Sequence, residues 1–108
     1  MTSPFEEIVD LDRLIHEPAR LALMTALSFC EAADFLYLQR LTGLTKGNLS
    51  SHLSKLEEAG LVHIEKRFVG KMPNTLVNLT EKGSAAIEQH WIQLDRLRSG
   101  AEQWVPEM

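Results

Sequence analysis

The side chains best suited to chemistry lie between Thr45 and Lys55. Lys46, Gly47, Asn48, Ser50, Ser51, Ser54 and Lys55 are small, polar or cationic, and no acid interrupts them before Glu57 and Glu58. The chemistry such a set supports is non-covalent. Lysine neutralises phosphate, while asparagine and serine form hydrogen bonds with phosphate oxygens or base edges. Thr45 is a good helix cap, so the first-turn N–H groups of Lys46, Gly47 and Asn48 lack intrahelical acceptors and are free to hold an anion. Gly47 costs about 1 kcal/mol of helix propensity relative to alanine, which close approach of a backbone phosphate would offset. A second basic group follows: Lys66, Arg67 and Lys71, with Asn74 nearby. A basic loop here would reach the backbone or minor groove beside the helix, although lysine also protects exposed strands from pairing.

Other chemistries find no support. No nucleophile–base pair, metal motif or phosphate-binding loop is present, and Gly70-Lys71 lacks the upstream glycine spacing of such a loop. His16, His52, His63 and His90 show no metal-ligand spacing. Cys30 is the only cysteine, which excludes an intrachain disulfide and fits a reducing compartment; it reads as a small buried apolar group. The expectation is therefore no enzyme, no cofactor and no metal. His52 neighbours Leu49, Leu53 and Leu56, so packing or a local hydrogen bond is expected there ahead of direct contact with a ligand.

These residues need elements to position them. Phe5, Ile8, Leu11, Leu14 and Ile15 recur at helical spacing and predict a helix over 5–15. Pro18 opens a second helix, to about Phe29. Asp34 caps a third, Phe35 to Thr42, with Leu38 and Leu41 pointing inward. Gly43 ends it, and after Leu44 the cap Thr45 starts a helix from Lys46 to about Ala59. Leu49, Leu53 and Leu56 form its buried stripe and Gly60 stops it. The period then changes to two: Leu61 to Val69 reads as a strand, Gly70 to Asn74 as a turn, and Thr75 to Leu79 as the returning strand. Thr80 caps a final helix that continues toward Trp104, with a break expected at Gly100. Two helices joined by a tight glycine turn and followed by a hairpin form a winged helix-turn-helix. The fold class is mainly α with a small β-hairpin (α+β), in one domain over 1–108. The helix-turn-helix occupies about 34–60, the wing about 61–80, and terminal dimerisation helices about 5–15 and 81–104.

Charge is distributed to match. The net charge is −4, yet residues 40–75 carry six basic and three acidic side chains, and the flanking segments are acidic on balance. The basic third coincides with the helix and hairpin above. No apolar run approaches the ~20 residues of a membrane span, and the N-terminus lacks the pattern of a signal peptide. A cytoplasmic chain with no membrane partner is expected.

The stretch from Leu41 to Val62, LTGLTKGNLSSHLSKLEEAGLV, resembles the small winged-helix transcription regulators of prokaryotes related to the MarR and ArsR groups. Ile15-His16-Glu17-Pro18-Ala19-Arg20-Leu21 and Leu79-Thr80-Glu81-Lys82-Gly83 extend the likeness. The chain departs from the metal-sensing ArsR pattern, because the paired cysteines before the recognition helix are missing. The resemblance implies a homodimer on double-stranded DNA, with its two recognition helices in successive major grooves. It also implies a cleft between the terminal helices where a small-molecule effector would bind, which no residue here identifies. DNA contacts are assigned to Thr45, Lys46, Gly47, Asn48, Ser50, Ser51, Lys55, Arg67, Lys71 and Asn74. Phe5, Ile8, Leu11, Trp91, Leu94, Leu97, Trp104 and Val105 exceed what a three-helix core needs, and are assigned to the dimer interface. The competing reading is a winged-helix protein-interaction module without sequence-specific DNA reading, which the overall acidity favours slightly.

Overall fold

A computed structural model describes residues 2–104; Val105 lies outside the described residues. The elements in chain order are α1 (Pro4–Val9), α2 (Pro18–Leu27), β1 (Ala33–Asp34), α3 (Phe35–Thr42), α4 (Lys46–Glu58), β2 (Val62–Val69), β3 (Met72–Leu79) and α5 (Glu81–Glu102). The architecture is an α+β winged helix.

The caps explain the boundaries. The N–H of Tyr37 donates to Asp34 Oδ1 at 2.7 Å and that of Asn48 to Thr45 Oγ1 at 3.1 Å. Between these helices Gly43 adopts φ +72°, a left-handed conformation that glycine reaches without a Cβ penalty. Leu49, Leu53 and Leu56 are buried against Leu23, Met24 and Leu27 of α2, Leu38 of α3 and Val77 of β3 within one core. Truncating any of these leucines to alanine would cost about 2–5 kcal/mol.

The antiparallel sheet has the order β1-β3-β2. Ile64 pairs with Val77 and Val69 with Met72, which leaves Gly70 and Lys71 as a two-residue turn. Gly70, at φ +63°, supplies the positive φ that a tight hairpin turn needs at its first central position. The returning strand therefore begins at Met72, three residues before the expected Thr75. Strand β1 is an addition: two residues pair with the edge of β3 and brace the start of α3.

Several expectations are corrected. The first helix ends at Val9 instead of residue 15. The Leu14 N–H donates to Asp12 Oδ1 at 2.9 Å, a local turn that competes with helix continuation. The second helix ends at Leu27, where Ser28 Oγ donates to the Thr25 carbonyl at 2.6 Å. Leu41 is 54% exposed, so Leu38 alone anchors α3 in the core, with Phe35 half-buried. Cys30 is exposed instead of buried. Helix α5 runs unbroken through Gly100, where Pro4 of α1 packs against it. No helix among the described residues is long and apolar enough to cross a membrane.

Candidate nucleic-acid interface

Burial of the leucine stripe decides which face of α4 is free. Lys46, Gly47, Asn48, Ser50, Ser51, Ser54 and Lys55 are all exposed. Thr45, itself exposed, accepts the Asn48 N–H, which corrects the expectation that this group is free for an anion and leaves those of Lys46 and Gly47 at the exposed N-terminal end of α4. A Cβ on Gly47 would meet nothing within 4 Å, so no packing inside the chain requires glycine there.

The wing stands beside this helix. Period-two alternation puts Ile64, Lys66 and Phe68 of β2 on one face, with their partners Val77, Thr75 and Pro73 of β3. That face and α4 enclose an open groove of about 510 Å³, with Lys46, Ser50 and Ser54 on one wall and Lys66 and Thr75 on the other. Arg67 lies on the opposite face, where its Nε donates to Asn74 Oδ1 at 3.0 Å across the hairpin. Lys71 is exposed in the turn. The ten assigned DNA-contact residues thus occupy two neighbouring surfaces, the exposed face of α4 from its first turn to Lys55 in its last, and the outer part of the wing. Lys66 and Ser54 line the groove between them, and neither is in the assigned set. Both were readable, Lys66 from the basic cluster of the wing and Ser54 from the face the leucine stripe leaves outward; that they line one groove was not.

Behind α4 lies a polar cluster. The Ala19 and Arg20 N–H groups each donate to a Glu17 carboxylate oxygen at 3.0 Å, capping α2. Arg20 is buried; its Nε donates to the Leu14 carbonyl at 2.6 Å and its Nη1 to His52 Nδ1 at 3.0 Å. Glu17 Oε2 stands 3.4 Å from the same His52 nitrogen and 3.5 Å from Arg20 Nη1. A neutral His52 accepts from Arg20, whereas a protonated one donates to Glu17, so the ring stays tied to α2 in either state. His52 is thus held by a hydrogen bond to a residue of α2, distant in the chain, and does not face the solvent side of α4. Burial alone would raise the Glu17 carboxyl, but the two N–H donors, His52 and Arg20 outweigh it and hold the pKa below its usual value. Glu17 immediately before Pro18 was a readable cap signal; its partners at Arg20 and His52 were not.

The assigned dimer residues separate into two groups. Phe5, Ile8, Trp91 and Trp104 are exposed and Leu94 is half-buried. Phe5 and Trp104 meet edge to face, with ring centroids 6.3 Å apart, and Trp91 Nε1 donates to Thr25 Oγ1 at 3.0 Å. Leu11 and Leu97 are 5% and 1% exposed. Their burial within the chain corrects their assignment to a partner-facing surface. The helical spacing placed them on an apolar stripe but could not tell packing of α1 on α5 from packing on a second copy.

Near α5, His16 Nδ1 lies 3.0 Å from His90 Nε2. Desolvation lowers the pKa of His90 and the charge of His16 lowers it further, with Asp12 partly opposing them. No group of three or more candidate metal ligands occurs among the described residues.

The residues that build the helix-turn-helix and wing fall within a match, over residues 19–97, to the family described as the winged helix DNA-binding domain. The chain belongs to that family. An uncharacterized protein of Methanocaldococcus jannaschii is 37% identical over 82 residues, covering 76% of this chain and 86% of the relative. The solved structure of a transcriptional regulator homologue from Pyrococcus horikoshii superposes with a TM-score of 0.82 at 31% identity, covering 91% of this chain and 96% of the other. A protein from Enterococcus faecalis described as a MarR-family transcriptional regulator follows at TM-score 0.68 and 27% identity, covering 95% and 92%. In this winged helix protein, α3 and α4 correspond to the helix-turn-helix and β2–β3 to the wing. MarR-like regulators of transcription are its structural kin.

Proposed function

We propose that this winged helix protein is a repressor that binds a palindromic site on double-stranded DNA as a homodimer. One observation carries the reading: the acid-free first turns of α4 and the basic wing border a single open groove. Thr45, Lys46, Gly47, Asn48, Ser50, Ser51 and Lys55 enter the major groove, with the N–H groups of Lys46 and Gly47 on a phosphate. Arg67, Lys71 and Asn74 meet the neighbouring backbone. Glu57 and Glu58 sit at the far end of α4, where Glu57 closes the inner end of the same groove. Residues 1–108 act as one DNA-binding unit. Phe5, Ile8, Trp91, Leu94 and Trp104 supply the apolar surface for pairing the two copies, which spaces the recognition helices by about 34 Å. A small-molecule effector would enter the open cavity of about 410 Å³ that Asp12 and Ile15 form with Ala86, His90, Gln93 and Arg96 of α5.

Selection of bound fragments from random DNA tests this reading. A palindrome with half-sites one helical turn apart is expected, with log affinity falling by about 0.9 per phosphate contact for each unit of log salt. Repression is read from a reporter carrying the selected site. No enrichment, or salt-insensitive association, overturns DNA reading and favours a protein-interaction module. A monomer in sedimentation at micromolar concentration overturns the dimer.

A further inference from the structure

The segment 10–17, between α1 and α2, has no helix or strand of its own, yet it bonds toward two helices. Toward α5, His16 Nδ1 stands 3.0 Å from Nε2 of the buried His90, with ring centroids 5.2 Å apart. Toward α4 the segment acts through Arg20. The Arg20 Nε donates to the Leu14 carbonyl at 2.6 Å, its Nη2 to the Arg13 carbonyl at 3.4 Å and its Nη1 to His52 Nδ1 at 3.0 Å. Ile15 is buried in the core that holds Leu49, Leu53 and Leu56 of α4. The segment is therefore a strap whose position decides where Arg20 and Ile15 hold α4. Asp12 fixes the turn inside it: its Oδ1 accepts the Leu14 N–H at 2.9 Å and its carbonyl accepts the His16 N–H at 2.7 Å.

The two histidine joints answer a proton differently. His52 has a partner in either state, Arg20 when neutral and Glu17 when charged. The His16–His90 bond needs one N–H and one lone pair, so it survives with both rings neutral or with one charged. With both charged, two N–H groups face each other, and His90 is left with a buried charge and no acceptor, which is costly. The charged groups facing the pair are Asp12 of the strap and Arg96 of α5, whose Nη2 donates to Glu7 Oε1 of α1 at 3.3 Å. Helix α2 carries only Arg20, and β3 carries no charged residue. Asp12 is thus the acid placed to answer a charged His90. Turning its carboxylate there releases the Leu14 N–H and the turn that presents the Leu14 carbonyl to Arg20. Burial and the charge of His16 hold His90 below its ordinary 6.5, with Asp12 partly opposing them, so the doubly charged pair is reached only in acid.

We propose that residues 12–17 form a pH-operated strap: a second proton on the His16–His90 pair frees it, and α4 loses the placement that DNA binding needs. The proposal rests on the DNA-binding reading above and adds its regulation. Protonated histidine clusters flip interfaces in other pH sensors. Histidine charge alone attracts phosphate and would tighten binding in acid, whereas release of the strap weakens it. The binding-competent state holds fewer protons, so it is fully populated above 6.5 and lost as pH falls through the lowered value of His90.

Affinity for a duplex selected from random DNA is measured by fluorescence anisotropy from about pH 8 to about pH 5.5 at fixed ionic strength. Circular dichroism at each pH follows the fold. The parent's affinity should fall below about pH 6.5, by up to about tenfold per pH unit for the one proton taken up. His16→Gln should match the parent at the upper end and lose the fall, because an amide takes no proton and offers its oxygen to a charged His90. His90→Gln should lose the fall as well. In the parent without DNA, the Leu14 N–H and Arg20 Nε–H resonances should shift with the midpoint of His90. Affinity that rises in acid, or an equal fall in His16→Gln and His90→Gln, overturns the strap and leaves DNA binding standing. So does a fall that coincides with unfolding, or one lost only in His52→Gln, which assigns the proton to the α4 joint. Zinc held by the parent and lost from His16→Gln makes the pair a metal site and likewise overturns the strap. No salt-dependent binding at the upper pH overturns both readings.

Discussion

Gly83→Ala should destabilise this protein by about 2–3 kcal/mol, although alanine is the better helix former by about 1 kcal/mol. The reason is the crossing of α5 over the end of α4. A Cβ on Gly83 would overlap the carbonyl oxygen of Leu61 and stand 2.8 Å from its carbon. That carbonyl is backbone and cannot rotate aside, so α5 must lift. Lifting strains three hydrogen bonds at the joint: Thr80 N–H to the Leu61 carbonyl at 3.1 Å, Thr80 Oγ1 to the Gly60 carbonyl at 2.7 Å, and Lys82 Nζ to the Ala59 carbonyl at 3.0 Å. Each contributes about 1 kcal/mol. The lift also draws buried Ile87 from the core, and forced overpacking adds about 1–3 kcal/mol. Partial relaxation and the propensity gain reduce the net to the range given. Urea and thermal unfolding followed by circular dichroism should show a midpoint lower by about 10 °C or more. A variant as stable as the parent would refute the reasoning, because propensity would then outweigh the close approach.

Gly47→Ala is the converse case: with open space around the added Cβ, stability should rise by up to about 1 kcal/mol while DNA affinity falls. Equal affinity in a gel-shift titration would remove the backbone-approach role of Gly47. Lys46→Ala and Lys71→Ala should each weaken binding to all sequences and lower the salt slope by about one, whereas a change confined to one sequence would move them from phosphate to base contact. Acid should destabilise in two stages. His90 is held below its ordinary 6.5, so the unfolded state binds more protons, and its contribution is complete above 6.5 and lost as pH falls through the folded value. Glu17, held below its ordinary 4.5, contributes fully above that value and is lost lower down. Unfolding free energy measured against pH should lose the upper stage in His90→Gln and the lower in Glu17→Gln, and curves superimposable on the parent's would defeat the assignment.

What the amino-acid order determined by itself was local. Asp34, Gly43, Thr45, Gly60 and Thr80 set the ends of α3, α4 and α5 because a cap bonds to an N–H two or three residues away, or a glycine takes a positive φ at one position. The alternation from Val62 onward announced β2 because strand pleating repeats every second residue. The basic middle third and the acid-free turns of α4 were equally visible, and they were enough to locate the candidate surface. The tertiary structure decided which apolar residues stay exposed. Leu11 and Leu97 turn inward and Leu41 outward because burial depends on partners distant in the chain, such as Pro4 against Gly100. Strand β1 is too short to show a period and exists only because β3 offers an edge. The bonds from Arg20 to His52 and between His16 and His90 join residues 32 and 74 positions apart. The groove between Lys46 and Lys66 belongs to neither element alone. It forms because the leucine stripe rotates α4 until its polar face meets the wing.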